Sequence, residues 1–271
     1  MKVVKSQKLV IDAERGEAAL LRSAYGRFAA FCIDTGVDAK PCALSVRSSI
    51  PGEVGLGGSS AIVIAALRAL ADFNEVTLPK PALPTVALAA EEDLDIPAGL
   101  QDRVAQVYQG LVYMDFEPAL LAADGHGAYE QLDPGLLDHA YVAWCPRMSV
   151  TSAGFHRELR RRYKSGDAAA IAALGDMAEL AKHARTAFLE SDLGRLHRLV
   201  NANFDLRRRL GPLEPHHVRM VEVARAAGAS ANYSGSGGAI TGLVDNDDVF
   251  AELTCAMAAF GCTVIRPTLA V

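Results

Sequence analysis

The residues best suited to chemistry lie in the segment PGEVGLGGSSA, at positions 51–61. Its glycines let the backbone turn tightly and approach a ligand without a clash from a side chain. Ser59 and Ser60 then open an apolar stretch, which predicts a buried helix over 59–73. Because a helix N-terminus presents unpaired N–H groups, the segment predicts either a phosphate site or a plain strand-to-helix turn with a serine cap.

The loop matches neither of the common glycine-rich nucleotide motifs. No lysine follows its last glycine, and the run from Gly55 to Gly57 lacks the third glycine of the dinucleotide fingerprint. A second glycine-rich turn, NYSGSGGAI at 232–240, lies between two β-rich runs and is also typical of a hairpin turn. Two such loops, one in each half of the chain, favour a nucleotide cleft between two lobes.

Acidic residues follow at 91–102. Phosphoryl transfer needs one carboxylate to hold Mg²⁺ and another to orient or deprotonate the attacking hydroxyl. Glu91 ends the apolar run VALAA, at the edge of a buried helix face, and Asp102 starts the next helix. By composition alone, capping of that helix is the favoured role for Asp102. Arg103 is a candidate for binding a substrate carboxylate on position alone, and the run Arg207, Arg208 and Arg209 also offers arginine forks.

Alternating β-rich and helical runs must position these residues. We predict a strand at 41–50, helices at 59–73, 83–94 and 100–108, and strands at 110–116 and 139–145. We also predict long helices from 152 to 210, which are interrupted at Gly166 and near 192–194. A helix at 215–227, strands at 230–234 and 238–244, a helix at 247–260 and a strand at 262–267 complete the pattern. The second half is predicted to be a helix-covered antiparallel sheet, with a boundary near 147–152.

Three ordered motifs resemble those of the GHMP kinases: PGEVGLGGSSA, Glu91 with QD at 101–102, and SGSGGA at 234–239. The likeness covers about residues 25–271, and runs at 98–116, 203–210 and 220–230 are similar to members that phosphorylate a sugar acid. The resemblance implies an α+β fold of two lobes. Residues 1–150 would form an ATP-binding lobe resembling ribosomal protein S5, and residues 151–271 a ferredoxin-like lobe.

The resemblance also implies a phosphotransferase that uses ATP and Mg²⁺. Ser60 and Glu91 would hold Mg²⁺, and Asp102 would act on the attacking sugar hydroxyl. The implied substrate is a sugar acid, glucuronate, with glucuronate 1-phosphate as the product. The residues implied in binding ATP are Gly55, Leu56, Gly57, Gly58, Ser59, Ser60, Ala61, Ser234, Gly235, Ser236, Gly237 and Gly238.

Two other functions stay open at this point. The chain could phosphorylate another sugar or a small alcohol, or it could bind a nucleotide or sugar without catalysis. Nothing in residues 1–24 matches the family's first motif, which leads us to expect a missing wall in the substrate pocket and an unpaired sheet edge that favours a homodimer. The presence of Ser60, Glu91 and Asp102 together favours an enzyme.

Composition excludes several classes. Of the 271 residues, 51% are hydrophobic and 22% charged, so the chain can bury a core and is not globally disordered. A formal net charge of -5 gives no basic field for nucleic acid. Five scattered cysteines indicate a reducing, cytoplasmic setting, and neither they nor the seven histidines show metal-ligand spacing. No signal peptide is evident, and the longest apolar run is too short for a membrane span.

Overall fold

The computed structural model describes residues 1–96, 98–146, 153–235 and 237–268. Contacts divide the chain into two compact units, and each is described by itself below. The first unit comprises Met1–Ile50 and Gly57–Gln131, and the second comprises Pro51–Leu56 and Leu132–Val271. The boundary predicted near 147–152 lies outside the described residues, and the division by contacts falls earlier, between Gln131 and Leu132.

A three-stranded sheet opens the first unit, with the strand order β1-β3-β2. Its strands are β1 (Lys2–Lys5), β2 (Val10–Asp12) and β3 (Cys42–Ser45). Strand β1 runs antiparallel to β3, whereas β2 runs parallel to it. The strand predicted at 41–50 is confirmed only over Cys42–Ser45, which lies at the centre of the sheet, and β1 and β2 were not predicted. These two form the edges of the sheet in the described part of the chain, and a homodimer through such an edge stays a prediction.

Helices cover this sheet and carry most of the core of the first unit. They are α1 (Arg15–Asp34), α2 (Gly58–Asn74), α3 (Leu83–Glu92), α4 (Leu100–Tyr108) and α5 (Pro118–Asp124), with a two-stranded sheet of β4 (Leu111–Asp115) and β5 (Ala128–Leu132). Helix α2 is buried on several faces, as predicted, through residues such as Val63, Leu67 and Leu70. The predicted helices α2, α3 and α4 are confirmed, and α4 has the predicted bounds.

The second unit is built on a four-stranded antiparallel sheet with the strand order β7-β8-β6-β9. The strands are β6 (Ala140–Trp144), β7 (Asn232–Tyr233), β8 (Ala239–Leu243) and β9 (Thr263–Ile265). The helices are α6 (Ala153–Lys164), α7 (Ala168–Leu189), α8 (Leu193–Leu210), α9 (Pro215–Ala226) and α10 (Asp247–Ala259). The predicted antiparallel sheet and its covering helices are confirmed. In the part of the chain that the structure describes, none of the helices combines the length and apolarity that crossing a membrane requires.

Candidate functional site

The start of α2 leaves backbone N–H groups open. Gly57 is the residue before the helix, with a left-handed backbone (φ 66°), and it has no side chain that could cap the turn. The first helical hydrogen bond runs from the N–H of Ala61 to the carbonyl of Gly57, at 3.0 Å. The N–H groups of residues 58–60 therefore have no acceptor within the helix, which is the arrangement that binds an anion.

Helix α4 packs directly against this turn. The Gln106 side-chain amide donates to the carbonyl of Gly57 at 2.9 Å and to the Ser60 hydroxyl at 3.0 Å. A Cβ placed on Gly57 would lie 2.8 Å from that amide nitrogen, which a shift of the Gln106 side chain could relieve, so it is the left-handed backbone that favours glycine here. Gln106 was not among the residues predicted from the sequence. The available signal was its position four residues after Asp102, because residues at that spacing share a helix face.

The two serines of the loop have different partners. Ser60 is fully buried, and its hydroxyl donates to the Gly57 carbonyl at 2.9 Å while accepting from Gln106. Ser59 donates to Glu91 Oε1 at 2.6 Å. Ser59, rather than the predicted metal ligand Ser60, therefore connects the loop directly to Glu91.

Glu91 and Arg103 form a buried ion pair. Glu91 is completely buried, and Arg103 is 4% exposed. Arg103 donates through Nε (2.7 Å) and through Nη2 to Glu91 Oε2, and through Nη1 to the carbonyl of Gly99 at 2.9 Å. The structure therefore gives Arg103 a role other than the predicted one. Its guanidinium is engaged within the first unit and is not presented to a substrate carboxylate.

Asp102 is the solvent-accessible acid of the group. Its side chain is 43% exposed and lies 3.6 Å from Nη1 of Arg103. It occupies the first turn of α4, where it makes no side-chain cap for the helix. Its Cβ lies 4.0 Å from the position that a Cβ on Gly57 would take. An accessible carboxylate beside an anion-binding turn can accept a proton from a hydroxyl brought to that turn.

These residues fit the phosphates of ATP and a magnesium ion. The open N–H groups at residues 58–60 suit phosphate oxygens, and glycine at 57 leaves the space that a side chain would fill. The nearby hydroxyl and carboxylate oxygens are hard ligands of the kind that Mg²⁺ prefers. Glu91 Oε1 accepts one hydrogen bond, from Ser59, and so retains a lone pair for a cation.

A separate glycine cluster lies in the second unit. A Cβ on Gly55 would lie 1.9 Å from the carbonyl oxygen of Gly237, and one on Gly238 would lie 2.7 Å from the carbonyl of Val54. The Ser234 hydroxyl donates to the carbonyl of Gly55 at 2.9 Å. The segment 51–56, which ends at Leu56, therefore packs backbone to backbone on the turn between β7 and β8. Ser236, predicted for this turn, lies outside the described residues.

Three polar side chains line this turn. Arg207 donates to the carbonyl of Gly235, and its guanidinium carbon lies 5.5 Å from the centre of the Tyr233 ring. Burial lowers the pKa of Arg207 and raises the pKa of Tyr233 to about 12. His217 Nε2 and the Tyr233 hydroxyl are buried with no hydrogen-bond partner in the described structure. Burial also lowers the pKa of His217.

Among the described residues, no carboxylate forms an ion pair with Arg207. Arg208 and Arg209 are exposed, so the three arginines of the run do not lie on one face of the helix. Arg207 is thus a half-buried cation whose charge is not neutralised within the described chain. It lies beside a glycine-rich turn, where an anionic ligand could supply the missing charge.

The fold and the glycine-rich helix start define a protein of the GHMP kinase class. Residues 18–110 match the family model for the GHMP kinases N terminal domain, and residues 184–261 match the model for the GHMP kinases C terminal domain. Together these matches cover more than half of the chain, in the order that the family requires. The chain belongs to the GHMP kinase family.

Within the family, the chain is similar to two proteins of Arabidopsis thaliana. It is 43% identical to glucuronokinase 1 over 202 residues, which is 73% of this chain and 56% of that protein. It is 41% identical to the probable glucuronokinase 2 over 241 residues, which is 86% of this chain and 66% of that protein. The chain thus spans less than two thirds of the length of these curated relatives.

Solved structures support the fold. The phosphomevalonate kinase of Streptococcus pneumoniae, in complex with phosphomevalonate and AMPPNP, matches 98% of this chain and 89% of its own, with a TM-score of 0.80 at 16% identity. The L. major mevalonate kinase, in complex with R-mevalonate, matches 99% of this chain and 86% of its own, with a TM-score of 0.66 at 20% identity. At this level of identity, the likeness shows the α+β fold alone.

Proposed function

We propose that this chain is an ATP-dependent kinase that transfers the γ-phosphoryl group to the anomeric hydroxyl of glucuronate, giving glucuronate 1-phosphate. The observation that carries the proposal is the open N-terminus of α2, packed against the accessible Asp102 and the buried Glu91. The relatives named as glucuronokinases suggest the substrate. Five free cysteines are consistent with the cytoplasm, where we expect the enzyme to work.

Each of the site residues in the first unit has a distinct role in this mechanism. The N–H groups of residues 58–60 hold phosphate oxygens, and Gln106 fixes the turn through Gly57 and Ser60. Asp102 accepts the proton of the attacking hydroxyl, while Arg103 holds the Glu91 carboxylate in place through its hydrogen bonds. Ser60 and Glu91 would hold Mg²⁺, which neutralises phosphate charge when it is bound.

We propose that Arg207 binds an anionic ligand at the glycine-rich turn of the second unit. Arg103 is engaged by Glu91, whereas Arg207 has no acidic partner among the described residues. Replacement of Arg207 by lysine keeps the charge but removes the planar fork. We expect Arg207→Lys to raise KM for the ligand that Arg207 binds by about tenfold or more. KM values for glucuronate and for ATP, measured separately, identify that ligand, and no change in either would contradict the proposal.

The first test is ADP release from Mg-ATP by the purified chain. Glucuronate, galacturonate, glucose, galactose and mevalonate are offered in parallel. We expect turnover on glucuronate, and a loss of about 100- to 10,000-fold in kcat for Asp102→Asn, because a general base contributes about that factor. Asp95→Asn is the matched control, since Asp95 is exposed and takes no part in the site.

The alternatives give different results in the same assay. Turnover on another substrate that Asp102→Asn abolishes would keep the mechanism and replace glucuronate. If no substrate is turned over while Mg-ATP raises the melting temperature, the chain binds nucleotide without catalysis. Equal activity of Asp102→Asn and Asp95→Asn would contradict the role given to Asp102.

A further inference from the structure

Three potential metal ligands meet at one end of the sheet in the second unit. Cys145 directly follows β6, Cys262 directly precedes β9, and His216 is the second residue of α9. One ligand atom from each side chain lies within 4.8 Å of the other two. These residues come from three separate segments, which explains why local sequence spacing indicated no metal site.

Strand pairing fixes the two cysteines opposite each other. Strands β6 and β9 are antiparallel, with Trp144 opposite Thr263, so the next pair outward is Cys145 and Cys262. Directly opposite residues have Cβ atoms about 4.5–5.5 Å apart. Both thiols are buried, at 6% and 7% exposure, and Cys145 Sγ lies 3.5 Å from the carbonyl oxygen of Gly261. Their positions are therefore set by the backbone of the sheet.

The imidazole of His216 is oriented independently of the thiols. Its ring stacks on Phe260, with the ring centres 4.6 Å apart and the planes 19° apart. Its Nε2 is buried and has no hydrogen-bond partner in the described structure. A buried polar atom without a partner costs about 1–3 kcal/mol of folding free energy. A ligand that binds this ring nitrogen would therefore remove that cost.

We propose that Cys145, His216 and Cys262 form a binding site for a thiophilic divalent cation of the zinc class. Two thiolates and an imidazole are ligands that zinc prefers and that Mg²⁺ does not, so this site differs in kind from the one proposed for phosphoryl transfer. Bond lengths of about 2.3 Å to sulfur and about 2.0–2.1 Å to nitrogen would require the side chains to close in slightly. Three protein ligands leave a fourth position for water.

A bound cation would cross-link the end of β6, the start of β9 and the first turn of α9. Because it would bind the folded second unit more tightly than the unfolded chain, it would stabilise the protein through linkage. Oxidation of the opposed thiols to a disulfide is the competing use of the same cysteines. The buried, unpartnered nitrogen of His216 favours the metal, because a disulfide would leave that nitrogen as it is.

The test is a titration of the full-length chain with Co²⁺, after treatment with a chelator and a reductant that contains no thiol. We expect one equivalent of Co²⁺ to give tetrahedral d–d bands and a thiolate-to-cobalt charge-transfer band, both removed by added Zn²⁺. We also expect Zn²⁺ alone to raise the melting temperature. His216→Asn and Cys262→Ser should each weaken Co²⁺ binding by more than about 100-fold, since even indirect partners of a metal account for about 10- to 100-fold.

Cys255→Ser and His183→Asn are the matched controls, because both side chains are exposed and lie outside the cluster. Both variants should bind Co²⁺ like the original chain. The proposal is overturned if the original chain shows no charge-transfer band, or if His216→Asn leaves binding and spectrum unchanged. A disulfide between Cys145 and Cys262 in the oxidised chain, without Co²⁺ binding in the reduced one, would also overturn it. The spectrum of the original chain decides the matter even if a variant fails to fold.

Discussion

The pair of Glu91 and Arg103 is a buried ion pair next to the proposed phosphate site. Because Glu91 is completely buried, loss of Arg103 would leave its charge without an oppositely charged partner. We expect Arg103→Leu to lower the free energy of unfolding by about 3–5 kcal/mol. The double variant Glu91→Leu, Arg103→Leu should recover much of this loss, because it removes both charges. Urea unfolding followed by circular dichroism measures both values.

Arg22→Leu is the matched control for this prediction. Arg22 is exposed on α1 of the same unit, and we expect its replacement to change stability by no more than about 0.5 kcal/mol. If Arg103→Leu behaved like Arg22→Leu, the buried ion pair would contribute little to stability.

The sequence could identify these residues but not their contacts. Glu91 and Asp102 were singled out by their positions at helix ends, and their roles were implied by the resemblance to the GHMP kinases. That Arg103 pairs with Glu91 depends on how α3 and α4 pack, and helix packing leaves no local signal in the sequence. For the same reason, the sequence did not indicate that Ser59 donates a hydrogen bond to Glu91.

Among the elements, the segment 51–56 requires glycine at position 55. Gly55 has φ 79°, and a Cβ there would overlap the carbonyl oxygen of Gly237. We expect Gly55→Ala to destabilise the protein by at least about 1–2 kcal/mol and to remove the rise in melting temperature caused by Mg-ATP. Gly52→Ala should change stability by no more than about 0.5 kcal/mol, because nothing lies within 4 Å of its Cβ position.

Thermal unfolding with and without Mg-ATP checks this prediction. Equal behaviour of the two variants would show that the close packing of Gly55 on the turn before β8 is not required. If Gly55→Ala lowered stability but Mg-ATP still raised the melting temperature, the conformation of this segment would not be needed for nucleotide binding.

Long helices with clear ends were the elements best predicted from sequence. Helices α2, α4 and α10 were predicted to within about a residue, because apolar runs, glycines and prolines mark their bounds. Strands β1 and β2 were missed because they have only four and three residues, with mostly exposed side chains. Helix α1 was missed although Ala24, Phe28 and Cys32, all buried, follow one another at four-residue spacing.

For the whole molecule, buried histidines predict how stability depends on pH. Burial lowers the pKa of His197 below its ordinary value of 6.5, even though Asp245 lies 3.3 Å from its Nε2. The unfolded chain therefore takes up a proton before the folded one does as pH falls. The contribution of His197 to the free energy of unfolding is therefore fully present above pH 6.5, and it is lost as pH falls towards the lowered pKa of the folded state.

We expect a lower melting temperature at pH 5.5 than at pH 7.5, with a smaller difference in His197→Gln. Differential scanning calorimetry at both pH values gives the comparison. His183→Gln, which replaces an exposed histidine, should retain the full difference. A full pH effect in His197→Gln would assign the acid sensitivity to other groups, such as His217, whose pKa is also lowered by burial.

The packing of residues 51–56 on the turn before β8 also has a consequence for the order of assembly during translation. The Ser234 hydroxyl and the carbonyl of Gly55 are separated by 179 positions along the chain. A ribosome releases the early glycine segment long before its partners exist, and long-range pairings of this kind form late. A nascent chain that stops before residue 234 carries α2, Glu91 and Asp102 but cannot bury its glycines. The packing of Gly55 therefore requires that synthesis has reached the turn between β7 and β8, before the last two strands of the sheet are made.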